Sequence, residues 1–151
     1  MKRFLAFCAL AALPFAALAD DYAKVFKTEG EFQYVRDAVE MAIEGKGIKI
    51  NHTNRIAEML ERTGKDLGFT RQVYVNGEQF EFCSAVPSRR MMEADPSAIT
   101  LCPYIVSVFT VPDDKHVYIA YRKPPKTGKE NLDKALADIE KLLDEIIQEA
   151  M

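Results

Sequence analysis

Gln72-Val73-Tyr74-Val75-Asn76-Gly77-Glu78-Gln79-Phe80-Glu81-Phe82 is the stretch on which the fold turns. Apolar and polar residues alternate on both sides of its centre, the period of a half-buried strand. Asn-Gly accepts positive φ at both central positions of a two-residue turn. The segment therefore reads as a β-hairpin, and it sets an antiparallel frame for what lies on either side.

Downstream, Ser84 to Ala94 reads as a short helix, with Pro87 tolerated because it falls in the first turn. Asp95-Pro96 stops it. Tyr104 to Val111 and His116 to Tyr121 read as strands joined across Pro112-Asp113-Asp114-Lys115 in a second hairpin. A polar stretch from Arg122 to Lys129, containing Lys123-Pro124-Pro125-Lys126, leads to a last helix over 129–149. There Leu132, Leu136, Ile139, Leu142 or Leu143, and Ile146 share one stripe, opposite a charged face. The stripe is too short in heptads for a coiled coil, so the helix reads as a cover for the core.

Upstream, Tyr22 to Lys27 alternates as a strand. Thr28 and Glu31 have capping-box spacing ahead of Phe32, Val35, Val39, Ala42 and Ile43. Residues 30–44 thus form an amphipathic helix, closed by Gly45 and Gly47. Ile48 to His52 is a second strand. Thr53 or Asn54 caps a further helix that carries Ile56, Met59 and Leu60 on one face and stops at Gly64. The order β-α-β-α-β-β-α-β-β-α implies a single α+β domain, an antiparallel-dominated sheet with helices packed on one face.

The first 19 residues read as an export signal rather than as part of that domain. Lys2 and Arg3 form a positive start, Phe4 to Leu18 is apolar apart from Cys8, and Ala17-Leu18-Ala19 is a small-x-small cleavage site. The apolar run of 15 residues is short for a bilayer span, which needs about 20. Cys8 lies too early, behind bulky Phe7, for a lipoprotein. Cleavage leaves 20–151 as the mature chain, expected in a bacterial periplasm or secreted. No later segment is apolar enough to cross a membrane.

The whole chain has 20 basic and 23 acidic residues, a formal charge of −3. Removing Lys2 and Arg3 leaves 18 against 23, or −5. That balance counts against nucleic acid as a partner. At 151 residues the chain can bury a core without staples, and 48% hydrophobic content argues against disorder.

With Cys8 gone, an odd cysteine count becomes a pair, Cys83 and Cys102. The C-x18-C spacing fits neither a C-x-x-C redox motif nor a four-ligand zinc pattern. Three readings stand open: a structural disulfide, two inert buried thiols, or a reactive pair. Cys83 falls where a strand gives way to a helix, whose N-terminal dipole favours a thiolate. Met91 and Met92 lie between the cysteines, and His52 and His116 elsewhere. Thiolate, thioether and imidazole together suit Cu(I), while a Met pair on a short amphipathic helix equally suits a core. Arg89-Arg90 is the candidate for holding an anionic ligand. Asn51-His52-Thr53 is a glycosylation sequon, which matters only in a eukaryotic secretory pathway.

No G-x-S-x-G, H-E-x-x-H, G-x-G-x-x-G or phosphate loop occurs. No pair of serines or carboxylates has a diagnostic catalytic spacing.

Cys83-Ser84-Ala85-Val86-Pro87, then Met92-Glu93-Ala94-Asp95-Pro96, then Leu101-Cys102-Pro103-Tyr104-Ile105-Val106 resembles the domain-of-unknown-function 302 family. The strand-helix-glycine unit from Phe26 to Gly47 and the helix at 54–64 fit as well, so the resemblance spans most of 23–122. Two departures stand out. Pro103 follows Cys102 instead of preceding it, and Tyr104 takes the place of an asparagine. The resemblance implies a compact α+β fold similar to the TATA-box-binding-protein-like class, with the two cysteines close in space. It implies no activity. The expectation is an exported, non-enzymatic domain that binds a small ligand or an envelope protein, its cofactor unknown and none required by the sequence. The alternative is a thiol-redox or soft-metal protein using Cys83 and Cys102, with Met91 or Met92 in support.

Overall fold

The computed structural model describes residues 22–151, so the export segment read at 1–19 lies outside the described residues. Its elements are β1 (Ala23–Thr28), α1 (Phe32–Gly45), β2 (Ile50–Arg55), α2 (Ile56–Asp66), β3 (Asn76–Phe82), α3 (Ala85–Ala94), β4 (Tyr104–Thr110), β5 (Val117–Arg122) and α4 (Glu130–Ala150). A 3-10 helix, Pro96–Leu101, joins α3 to β4. The strands form one sheet in the order β1-β5-β4-β3-β2, and every pairing is antiparallel.

Alternation along the strands sends one set of side chains to a single face. Ile119 stands opposite Phe26 on one side and Val108 on the other, and Val106 stands opposite both Tyr121 and Phe80. Helices α1, α3 and α4 cover this face. The stripe of α4 is buried over Leu132, Leu136, Ile139, Leu143 and Ile146, joined by Ala135 and Ile147. Each fully buried Ile or Leu contributes roughly 1.5–3 kcal/mol of transfer free energy. Helix α1 adds Val35, Val39, Ala42 and Ile43. Among the described residues no helix is long and apolar enough to cross a membrane.

The opposite face carries Val25, Gln79, Ser107, Phe109, Tyr118 and Ala120, with Phe109 and Tyr118 stacked at 5.1 Å. Among the described helices only α2 approaches it, through Ala57 and Ile56 at its first turn.

Several sequence expectations are corrected. Asn76-Gly77 is not a turn: both residues lie inside β3, which pairs with β2 and β4, and residues 72–75 form no strand. The sheet therefore has five strands and one hairpin fewer than expected. Gly77 has an ordinary φ, and its reason lies in packing. A Cβ there would sit 3.5 Å from the Ala57 Cβ and from the Tyr74 ring. The expected capping box also fails, because Thr28 is consumed by β1 and no side chain caps α1 at Glu31. Thr53 and Asn54 belong to β2 through pairing with Phe80 and Gln79, so they do not cap α2. Gly64 lies inside α2, and Gly68, at φ 78°, makes the reversal behind it. His52 is an interior residue of β2 rather than its end.

Candidate functional site

The β3–β4 register builds the site. Phe82 is paired with Tyr104, so the next residue along β3 and the last ones before β4 emerge side by side. Cys83 and Cys102 meet there with Cα atoms 6.4 Å apart, within the span of a disulfide, and the structure pairs their sulfurs. Both are half-buried. The Cys102-Pro103 peptide is cis.

Beneath the bridge lies a polar pair inside an apolar setting. Ser88, on the inner side of α3 and 8% exposed, shares a 2.8 Å hydrogen bond with the Tyr104 hydroxyl. Its oxygen also lies 3.9 Å from the Cys102 sulfur. Burial pushes the Tyr104 hydroxyl above its ordinary pKa, and the Ser88 bond pulls the other way. Cys83 immediately precedes Ser84, the residue that opens α3 and whose carbonyl accepts from the Ser88 amide at 3.0 Å. The sulfur of Cys83 thus belongs to the residue next to a helix N-terminus, where partial positive charge gathers.

Beside the cystine is a cavity of about 50 Å³ that opens outward. Its walls are apolar: Met91 from α3, Leu101 and Tyr104 beside the cystine, and Leu136, Ile139 and Leu143 from α4. The exposed Arg122 borders it, followed by Lys123, Pro124 and Pro125. The bridge fastens the Leu101–Tyr104 wall to the end of β3 and so holds one side of the cavity in place.

A second tie closes the same region. Asp95, where α3 ends, accepts from the Ser97 amide at 2.9 Å and its hydroxyl at 2.7 Å, and it holds Lys129 ahead of α4. Lys129 and Ser97 together bring its carboxyl down to about 2.

The remaining candidates spread out. Met91 is wholly buried in the core cluster and lines the cavity, while Met92 is half-buried against that cluster. Arg89 pairs with Glu93 at 2.6 Å and Arg90 approaches Asp138 at 3.8 Å, both in solvent and neither on the cavity. His116 sits just before β5 with its Nδ1 2.6 Å from Asp114, and His52 is exposed on β2. Among the described residues no three or more His, Cys, Asp or Glu side chains gather as a metal site. Ser88, Arg122 and the α4 wall had no sequence signal as site residues. Ser88 and Tyr104 are 16 positions apart, and Leu136 and Ile139 look only like core.

The topology defines a small antiparallel α+β domain, with a cystine near one end of β3 and an apolar cavity between its sheet, α3 and α4. Residues 24–150 match the family described as "Domain of unknown function DUF302", and the chain belongs to that family. It is also similar in fold to an uncharacterised conserved DUF302 protein from Bacillus stearothermophilus, solved by crystallography. The TM-score is 0.73 at 15% identity, covering 86% of this chain and 98% of that one. No curated protein matches.

Proposed function

We propose that the protein is an exported, non-enzymatic binding module that takes a small apolar or amphiphilic ligand in the cavity beside the cystine. The observation that carries this reading is the cavity itself. Apolar side chains from three elements converge on it, and a guanidinium stands at its border. Its enclosed part holds only a few methylene groups, so the ligand is short or keeps its larger part outside. Export is supported by Lys2, Arg3, the apolar run and Ala17-Leu18-Ala19.

The test is protein purified from the periplasm of an expressing bacterium, titrated with hexanoate and followed by methyl NMR. The expected result is an N-terminus at Asp20 and saturable shifts at Met91 and Leu136, lost in Ile139→Trp, which fills the cavity. Unchanged methyl signals, or equal shifts in Ile139→Trp, overturn the ligand reading. An intact residue 1 overturns export.

A second reading, thiol-disulfide exchange, is favoured by the position of Cys83 at a helix start and by the Ser88 hydroxyl near Cys102. A partner dithiol would become a disulfide as the bridge became two thiols, conserving electrons and protons. A bridge that resists excess dithiol in the native state removes it. A soft-metal version further needs the bridge open and Met91 withdrawn from the core.

A further inference from the structure

The residues that line the cavity beside the cystine are held in two different ways. Leu136, Ile139 and Leu143 come from α4, whose apolar stripe is buried along its length. Met91 and Leu101 come from the segment that the bridge closes, and Pro103 follows directly after Cys102. That segment, α3 and the 3-10 helix together, buries only Ser88, Met91 and Ala98. Leu101 is half-buried and Pro103 exposed. Apart from the bridge, few polar ties hold it. Ser88 shares its hydrogen bond with Tyr104, Asp95 holds Lys129, and Arg90 approaches Asp138 in solvent at 3.8 Å. A segment with so few buried apolar residues opens locally at low free energy unless something fastens it. Here the fastening is covalent, and it is attached to the cavity wall itself, because Cys102 sits between Leu101 and Pro103. Both cysteines are partly exposed, so a small thiol in solvent can approach them.

We propose that the Cys83–Cys102 bridge is a redox switch on ligand affinity, a step that rests on the reading of the cavity as a ligand site. With the bridge closed, Leu101 and Met91 are kept against the α4 wall and the cavity holds its ligand. With the bridge open, the segment from Ser84 to Leu101 moves more freely, the wall loosens and the ligand leaves. The reductant is a dithiol. One of its thiolates attacks a sulfur of the bridge, its second thiol closes a disulfide within the reductant, and Cys83 and Cys102 are left as two thiols. Two electrons and two protons pass from the dithiol to the protein, so the exchange balances. The coupling is reciprocal: if reduction weakens binding by some factor, a bound ligand shifts the bridge toward its oxidised form by the same factor.

The test titrates hexanoate into the mature protein in three forms: bridged, reduced with dithiothreitol, and as Cys83→Ser/Cys102→Ser. Methyl signals of Leu136 and Ile139, which lie outside the closed segment, report occupancy, and those of Val106 and Ile119 report the sheet. The expected result is a dissociation constant about tenfold or more higher in both open forms, with the sheet signals still those of a folded protein. At a fixed ratio of reduced to oxidised dithiothreitol, saturating hexanoate should lower the ratio of open to bridged protein by a matching factor. Equal or tighter binding in the open forms overturns the switch and leaves the ligand reading standing. No binding to the bridged form overturns both. Loss of the sheet signals in both open forms overturns the switch as well, since the bridge would then hold the whole domain rather than one wall. A bridge that excess dithiothreitol leaves intact in the folded protein also overturns it.

Discussion

The hydroxyl of Tyr121 donates a 2.7 Å hydrogen bond to Asp144, a residue of α4 that also receives Lys24 of β1 at 2.8 Å on each carboxylate oxygen. One carboxylate thus ties the edge strand, a core strand and the covering helix. Tyr121 is 2% exposed, so its hydroxyl depends on this acceptor, with Glu140 the other acid nearby. Asp144→Ala is expected to cost about 1–3 kcal/mol, because it strands a buried hydroxyl. Tyr121→Phe should cost less, and adding it to Asp144→Ala should cost little more. A double-mutant cycle by urea denaturation reads the coupling, and strict additivity would refute it.

Removing the bridge should destabilise the oxidised protein. Cys83 and Cys102 are 19 positions apart, and closing a loop of that size is worth about 3 kcal/mol in the chain-entropy description. Cys83→Ser should lower the denaturation midpoint by a corresponding amount, while reductant lowers the wild type to meet it. Equal midpoints for the oxidised wild type and the variant would show that the bridge contributes nothing.

Ile139→Ala removes a residue that is 1% exposed and also borders the cavity. A loss of about 2–5 kcal/mol is expected, set by how far the existing void can collapse. The same variant should bind longer aliphatic probes than the wild type does, which methyl NMR can read.

Asp95 gives stability an acid limit. Its carboxyl is held down to about 2 by Lys129 and Ser97, below the value it regains when unfolded, about 3.9. A lowered folded pKa contributes stability above the unfolded value, and that contribution disappears as pH falls through the folded one. Asp95→Asn should therefore lower the melting temperature at pH 7, and the gap should close between about pH 4 and pH 2. A gap that stays constant over that window would exclude the linkage.

Gly77→Ala separates packing from turn chemistry. With an ordinary φ and contacts at 3.5 Å, alanine should fit within about 1 kcal/mol in either direction. Gly77→Leu should displace Tyr74 and α2 and cost more. A severe loss with alanine would restore the turn reading.

That glycine also shows where sequence reasoning stopped. Asn76-Gly77 carries a strong local turn signal, but β3 needs a neighbour on each side, and β2 and β4 supply them from a distance. Long-range pairing overrode local preference, as it did for Thr28, Thr53 and Asn54. Helix α4 was legible because one stripe of Leu and Ile repeats over five turns against a single core. The 3-10 helix was not, since Pro96 stops one helix and, through the Asp95 cap, starts another. The cysteines were visible as a pair because Cys83 and Cys102 are the two that lie outside the apolar first 19 residues. The cavity was not, because its wall is assembled from core-type residues of distant elements, and spacing says nothing about a gap between them.

Strand order also governs when the protein can fold. β1 pairs only with β5, roughly ninety residues further along, and no shorter-range partner exists for it among the described strands. A chain delivered from its N-terminus, whether from a ribosome or through a narrow pore, cannot close the sheet until residue 122 has emerged. The part of the core face that α4 covers stays open until that helix follows. Closure of the sheet and burial of the α4 stripe therefore both wait on residues 117–150, the last of the described elements to emerge.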